Sequence, residues 1–127
     1  MQTSNDSYMQ VRCNTSNHNS GLRYEFHTGY TPAQVSKITV EYELHCTRTD
    51  QPYYEFLILK QDGSGGNTAM GGGLWTTTDQ MFTWNSTAVS TYMSGSGYMH
   101  VTMCGCSQNS NNYDTYVDVC RIKLTLN

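Results

Sequence analysis

Alternation of apolar and polar residues is clearest in the segment SKITVEYELHCT, residues 36–47. Successive side chains of a β-strand point to opposite faces, so a half-buried strand shows this two-residue period. The apolar positions are Ile38, Val40, Tyr42, Leu44 and Cys46, and the polar positions are Lys37, Thr39, Glu41, Glu43 and His45. The segment is therefore predicted to be a strand with one face in a core.

Shorter patterns of the same kind predict the other strands, at residues 7–13, 21–27, 53–60, 74–77, 80–85, 98–106 and 115–126. Segment 86–97 has room for one helical turn, and the glycine-rich segment 61–73 is expected to be a mobile loop. About eight short strands without a convincing helix predict an all-β fold. The architecture that fits best is an antiparallel β-sandwich of the jelly-roll type, in one domain spanning residues 1–127.

The segment YYEFLILK, residues 53–60, departs from simple alternation because it is apolar on both faces. Tyr54, Phe56 and Ile58 can face a core, which leaves Leu57 and Leu59 on the outside. Contiguous apolar surface on a soluble protein usually marks a site of binding or assembly. This strand is therefore predicted to carry a contact surface, unless a loop or the N-terminal segment covers it.

The composition fits one all-β domain and argues against two kinds of partner. Of 127 residues, 37% are hydrophobic and only 13% are charged, and the formal net charge is −3. Nucleic acid is bound by clustered Lys and Arg, which this chain lacks. No apolar run approaches the roughly 20 residues of a membrane span, so no membrane partner is expected.

The cysteines and the N-terminus bear on the setting of the protein. The five cysteines cannot all pair with one another, and they fall in or near predicted strands, which favours reduced thiols and an intracellular or anaerobic setting. The first ten residues, MQTSNDSYMQ, do not form a signal peptide. Both a complete cytosolic protein and a piece of a larger secreted protein remain open.

No motif for catalysis or for a metal centre is apparent. The four histidines lie near no nucleophile motif, and alternating glutamates at Glu41, Glu43 and Glu55 are typical of a solvated strand face. Cys104 and Cys106, with His100, could begin a zinc site, but structural zinc usually takes ligands from C-x₂-C turns. We therefore predict a protein that is not an enzyme and that holds no zinc.

Four segments resemble, in order and spacing, the small jelly-roll carbohydrate-binding modules appended to secreted bacterial polysaccharide-degrading enzymes. They are SNDSYMQVRC, VSKITVEYELHC, YYEFLILK and YVDVCRIKLTL. The resemblance implies a non-catalytic, extracellular module that holds a polysaccharide such as a plant cell-wall glycan and is attached to a catalytic domain.

The same resemblance bears on Asp118, since some calcium-binding relatives hold a structural ion with an Asp near the final strand. Asp118 is predicted to share an inward face with Tyr116, Cys120, Ile122 and Leu124. A buried carboxylate needs a partner, which can be calcium or backbone N–H groups. The chain shows no second carboxylate cluster with calcium-loop spacing, so backbone hydrogen bonds are the favoured partner and no cofactor is required.

The candidate binding residues follow from the assumption that the strands containing Glu43, Tyr53, Tyr98 and Arg121 share one sheet. Their outer faces would then form an aromatic and aliphatic surface bordered by charged and hydrogen-bonding groups. Rings can stack on the apolar faces of sugars, and the polar groups can bond to hydroxyls. The predicted stacking residues are Tyr53, Trp75 and Tyr98, and the predicted hydrogen-bonding residues are Glu43, His45, His100 and Arg121.

An alternative function fits the same surface. A self-assembling jelly-roll subunit of a virion, fibre or surface layer would use the outward leucines to contact another copy. Trp75, at the end of the glycine-rich segment, is expected to be exposed, whereas Trp84 is expected to lie in the core. Loss of glycan binding on replacing Trp75 or Tyr98 would favour the module, and self-association would favour the subunit.

Overall fold

The computed structural model describes residues 9–13, 19–48, 52–74, 76–107 and 113–127. Eight strands form nearly all of it, joined by a 3₁₀ turn at Pro32–Gln34 and one helical turn, α1, at Val89–Tyr92. The strands are β1 Met9–Cys13, β2 Asn19–His27, β3 Val35–Cys46, β4 Pro52–Leu59, β5 Asn67–Leu74, β6 Gln80–Ser86, β7 Tyr98–Ser107 and β8 Tyr113–Leu126. Within the described residues, no helix is long and apolar enough to cross a membrane.

The strands form two four-stranded antiparallel sheets. Sheet I has the order β1-β8-β3-β6, and sheet II has the order β2-β7-β4-β5. Consecutive strands therefore mostly cross from one sheet to the other, which is the arrangement of a jelly roll. The all-β sandwich and its eight strands are confirmed.

The core lies between the two sheets, where the apolar positions of each strand meet. Tyr42 of β3 stacks on Phe56 of β4 with 3.7 Å between ring centroids, and both side chains are almost fully buried. Trp84 is partly buried against this core and packs edge-on against Tyr92 of α1, as expected. Burying each large apolar side chain contributes about 1.5–3 kcal/mol to folding, so the alternation that predicted these strands also stabilises them.

The expected loop at 61–73 and the expected strand at 74–77 are both wrong in part. Residues from Asn67 onward form β5, which pairs with β4 along its length, and only the preceding residues form a turn. Glycines carry no side chains that could alternate, so the sequence pattern does not reveal this strand. Gly71 lies close to the opposite sheet, since a Cβ there would be 3.0 Å from the Tyr42 hydroxyl.

The inward face predicted for β8 is wrong at its N-terminal end because the strand contains a β-bulge. Glu43 pairs with Val119 and Leu44 pairs with Val117, so Asp118 is an extra residue between the two pairs. The bulge shifts the alternation by one residue. Val117 therefore packs in the core, and Tyr116 lies on the outer face.

Candidate functional site

The predicted binding residues do not lie on one sheet. The strands β3 and β8 belong to sheet I, whereas β4 and β7 belong to sheet II, so their outer faces are on opposite sides of the molecule. The single surface assumed from the sequence is therefore wrong. Sheet II contains Tyr53, Tyr98 and His100; sheet I contains Glu43, His45 and Arg121; Trp75 lies outside the described residues.

The outer face of sheet II has a central region, rich in small side chains, that crosses all four strands. Two rows of paired residues form it, and we call these rows the trough. One row is Gly21, Cys104, Glu55 and Gly72, and the other is Arg23, Thr102, Leu57 and Ala69. At about 4.8 Å between strands, the trough is about 14 Å long, which suits a short stretch of an extended chain.

Three of the four edge-strand positions of the trough are small residues, and the fourth is the exposed Arg23. Gly21 on β2 and Gly72 and Ala69 on β5 are exposed, and none of them carries a side chain long enough to cover its neighbours. At the β5 side a pocket of about 330 Å³ is lined by Glu55, by Ala69 and by the glycine backbone. The floor of the trough is therefore accessible from solvent.

An aromatic pair stands beyond one side of the trough. Tyr98 of β7 and His27 of β2 are direct cross-strand partners. Their rings stack with 4.4 Å between centroids and an interplanar angle of 8°. Mutual stacking holds Tyr98 in one orientation. Binding of a ligand to Tyr98 therefore costs less side-chain entropy than it would with a freely rotating ring.

His100 lies between this aromatic pair and the trough, and it is held from both sides. Its Nε2 is 2.6 Å from Glu25 Oε2, and its Nδ1 is 2.8 Å from Gln61 Nε2. These two contacts hold the His100 ring in one orientation.

The outward leucines lie on this same face. Leu57 is in the trough and Leu59 follows it on β4, and both are partly exposed. Leu74, at the end of β5, is 62% exposed. The apolar outer side of the segment 53–60 is therefore a surface feature of sheet II, and it is combined there with Tyr98 and the polar groups of the trough.

The charged groups on the outer face of sheet I are engaged with one another. Glu41 accepts hydrogen bonds from Arg121 and from Lys123, the latter at 2.8 Å. The bond from Lys123 and then that from Arg121 lower the pKa of Glu41 below its usual value. Saturated ion pairs of this kind leave little hydrogen-bonding capacity for a ligand.

The other polar groups predicted on sheet I are also poorly suited to a ligand. His45 contacts Asp79 at 2.7 Å and stacks on Tyr116 with 4.9 Å between ring centroids. Glu43 Oε2 is buried without a hydrogen-bond partner, opposite the buried Val119. The His45 ring is therefore engaged within this face, and Glu43 Oε2 is shielded from solvent.

The second concavity lies at the side of the sandwich, between the edges of the two sheets. It has a volume of about 390 Å³ and is lined by Phe26, His27, Thr28, Tyr30, Ile122, Leu124 and Leu126. The Thr28 hydroxyl already donates to the Gly97 carbonyl at 3.0 Å. Its lining is about equally polar and apolar and includes no carboxylate, whereas the pocket beside the trough includes Glu55.

The metal predictions are not decided by the described residues. Asp118 is 8% exposed and lies in the β8 bulge opposite Glu43. In the part of the chain that the structure describes, no group of three or more His, Cys, Asp or Glu could hold a metal ion. The described side chains do not complete a calcium site, and the prediction that Asp118 is held by backbone hydrogen bonds without a cofactor stays a prediction. The Cys106 side chain lies outside the described residues.

Several solved structures share this fold. The N-terminal cellulose-binding domain of a Cellulomonas fimi β-1,4-glucanase matches with a TM-score of 0.58 and 11% identity, over 94% of this chain and 80% of that domain. The xylan-binding CBM22-1 domain of Paenibacillus barcinonensis Xyn10C matches at 0.52 and 12% identity, over 92% and 71%. A CBM4 structure matches at 0.52 and 14% identity over 84% of this chain, which spans 61% of that structure's length.

The chain has the fold of a carbohydrate-binding module. No protein-family model matches it, and no curated protein matches it. At 11–14% identity the shared fold carries no residue roles from those structures to this chain. What the chain binds must follow from its own surface.

The sequence alone pointed to Tyr98 and His100 but missed their partners on β2 and in the following turn. Glu25 and His27 alternate with the inward-facing Tyr24 and Phe26, which is a pattern visible in the sequence. What the sequence does not show is that β2 pairs with β7. Gln61 reaches His100 from outside any strand, and no sequence signal indicates that contact.

Proposed function

We propose that the protein binds a polysaccharide without cleaving it, through the outer face of sheet II from the trough to Tyr98, which lies beyond His100. The observation that carries the proposal is the combination on one face of a stacked aromatic, exposed aliphatic groups and polar groups that are still available. Sugars present apolar C–H faces and hydroxyls at their edges, so this mixture is complementary to them. The fold, shared with cellulose-binding and xylan-binding domains, supports the proposal.

Binding without cleavage is supported by the carboxylates of this face. Hydrolysis of a glycosidic bond takes two carboxyl groups that flank the bond. Glu25 is bound to His100 beside the trough, and Glu55 is the one glutamate within it. A wet and shallow site of this kind would give affinities on the order of micromolar to millimolar.

The setting and partners follow from the proposed activity. We expect the chain to work outside the cell, as a module that keeps an attached polysaccharide-degrading domain near its substrate. Modules joined to an enzyme raise its effective concentration at the polymer without adding contacts to the active site. The self-assembling subunit is not favoured, because the three structures compared above are a CBM4 structure, a cellulose-binding domain and a xylan-binding domain.

Two cross-strand histidine–tyrosine stacks on opposite faces provide a matched test. Tyr98→Ala removes the stack on sheet II, and Tyr116→Ala removes the comparable stack on sheet I. We expect Tyr98→Ala to weaken retention in affinity gels containing soluble cellulose or xylan derivatives by about tenfold or more, since losing one aromatic stacking contact commonly costs more than 1 kcal/mol.

The Tyr116→Ala variant should be retained like the wild type. Equal loss in both variants would point to general destabilisation, which thermal unfolding would reveal. Loss confined to Tyr116→Ala would move the site to sheet I. If no polysaccharide retains the wild-type protein, the proposed function is wrong.

A further inference from the structure

Glu55 occupies the centre of the trough and is partly exposed to solvent. It pairs across the sheet with Cys104 on β7 and with Gly72 on β5. Its carboxylate makes no hydrogen bond or ion pair with any residue that the structure describes. A carboxylate oxygen accepts hydrogen bonds strongly, so this group is prepared to accept them from a ligand.

The cations of the described structure do not neutralise Glu55. Arg121 and Lys123 are bound to Glu41 on the other sheet. Arg23 lies on β2, two strands away from β4 and in the neighbouring row of the trough. The negative charge at the trough floor is therefore not compensated by a contacting base.

The neighbours of Glu55 leave its carboxylate within reach of a ligand. Gly72 and Ala69 line the pocket beside it, and Gly21 is the outermost residue of the same row. A chain lying across the strands would pass directly over Glu55, because both rows of the trough run in that direction. Any group that the ligand places there meets a fixed negative charge.

We propose that Glu55 is the specificity-determining residue of this site, and that it selects uncharged glycans over acidic ones. The inference rests on the proposed function and adds the class of glycan to it. A sugar hydroxyl placed over Glu55 donates a charge-assisted hydrogen bond, which is about twice as strong as a neutral one. A carboxylate or sulfate group placed there would be repelled and would leave both charges poorly solvated.

The test compares neutral polymers with anionic derivatives of the same backbone. Hydroxyethylcellulose and arabinoxylan serve as neutral probes, with carboxymethylcellulose and carboxymethylxylan as their anionic counterparts. We expect the wild type to bind a neutral probe about tenfold or more tightly than its anionic counterpart at low salt. Added NaCl should reduce that preference, because exposed charges are screened within about 10 Å at 0.1 M salt.

Glu55→Gln keeps the size of the side chain and removes its charge. We expect this variant to bind the neutral probe more weakly by about threefold to tenfold and to lose most of its preference against the anionic one. Asp79→Asn is the matched control, since it removes one negative charge beside sheet I, where Asp79 contacts His45, and it should keep the wild-type preference. Thermal unfolding confirms that each variant is folded.

The outcomes separate this inference from the proposed function. Wild-type binding to neutral and anionic probes with equal affinity, unchanged in Glu55→Gln, overturns the role of Glu55 and leaves glycan binding standing. If Asp79→Asn removes the preference for neutral probes as fully as Glu55→Gln does, the selectivity depends on net charge and not on Glu55. That result also overturns the inference. Absence of binding to every probe overturns both proposals.

Discussion

At the residue scale, the sequence predicted which side chains face inward more reliably than it predicted their partners. Every second residue of β3, from Ile38 to Cys46, is buried as its alternation indicated. The contacts that make His100 a candidate site residue come from Glu25 and Gln61, which lie 75 and 39 residues away in the chain. Alternation reports burial because it is local, whereas a long-range side-chain pair has no local signal.

Gly71 is a residue whose identity is fixed by a neighbour from the opposite sheet. A Cβ there would lie 3.0 Å from the Tyr42 hydroxyl, and Tyr42 is buried and cannot move away freely. We expect Gly71→Ala to lower the free energy of unfolding by about 1–3 kcal/mol, the usual cost of overpacking a core. Chemical denaturation would measure it.

Gly21→Ala is the matched control for this substitution. Gly21 is also a strand glycine, but a Cβ there would meet the Met103 carbonyl at an ordinary 3.5 Å. We expect its free energy of unfolding to change by no more than about 0.5 kcal/mol. Equal losses of unfolding free energy in the two variants would show that replacing any strand glycine has this effect. The contact with Tyr42 would then have no special role.

At the scale of elements, the limits of sequence reasoning appear at β5 and β8. The β5 strand has three consecutive glycines, so its side chains give no period, yet its backbone completes the hydrogen bonding of β4. The β8 strand has a clear period, but the extra residue at Asp118 makes its two halves face the core out of step. Strand pairing and β-bulges both depend on the neighbouring strand. The apolar and polar pattern of one segment contains no information about that neighbour.

The bulge makes a prediction about deletions in β8. Removing Asp118 would bring Val117 and Val119 together opposite Leu44 and Glu43, so all the other pairs could persist. Removing Arg121 would turn the following residues, Ile122 and Leu124, away from the core. We expect the Arg121 deletion to cost about 2 kcal/mol or more of unfolding free energy beyond the Asp118 deletion, since it exposes two large aliphatic side chains.

Urea denaturation of the two deletion variants measures this difference. The surface ion pair that Arg121 makes with Glu41 contributes at most about 1 kcal/mol, so it cannot account for the expected gap. An Asp118 deletion that is as damaging as the Arg121 deletion would mean that Asp118 itself, and not the register, stabilises this part of the sheet. Added calcium would then show whether an ion contributes to that stabilisation, through a rise in the melting temperature of the wild type alone.

At the scale of the whole molecule, the topology decides which residues can act together. In a jelly roll, consecutive strands alternate between sheets, so β3 and β4 carry their polar faces to opposite sides of the molecule. The fold class followed from strand number and spacing. The position of the site could not be predicted in the same way, because the lengths of the connections do not determine which strands belong to which sheet. Most strands were predicted correctly, but they were assigned to the sheets incorrectly. Of the seven predicted binding residues, Tyr98 and His100 lie together beside the trough.

The buried core also predicts how the whole molecule responds to alkaline pH. Burial raises the pKa of the Cys120 thiol from its ordinary 9.0 to about 12, and burial, with smaller contributions from Tyr54 and Cys120, raises the pKa of Tyr42 from 10.0 to about 12. At a pH between the ordinary pKa and the raised pKa of each group, the folded protein keeps a proton that the unfolded chain loses. The free energy of unfolding therefore falls as pH rises above about 9, by up to about 1.4 kcal/mol per pH unit for each such group.

Replacing the thiol separates its contribution from that of the tyrosines. Cys120→Ala should melt at a lower temperature than the wild type near pH 8, because it leaves a small cavity. Its melting temperature should then fall less steeply between about pH 9 and pH 11, because one of the titrating groups is gone. Cys104→Ala, which changes a thiol on the outer face of sheet II, serves as the control for losing a thiol outside the core. Identical slopes in Cys120→Ala and the wild type would mean that the thiol stays protonated in the unfolded chain or is already ionised in the folded one, and the tyrosines alone would then account for alkaline unfolding.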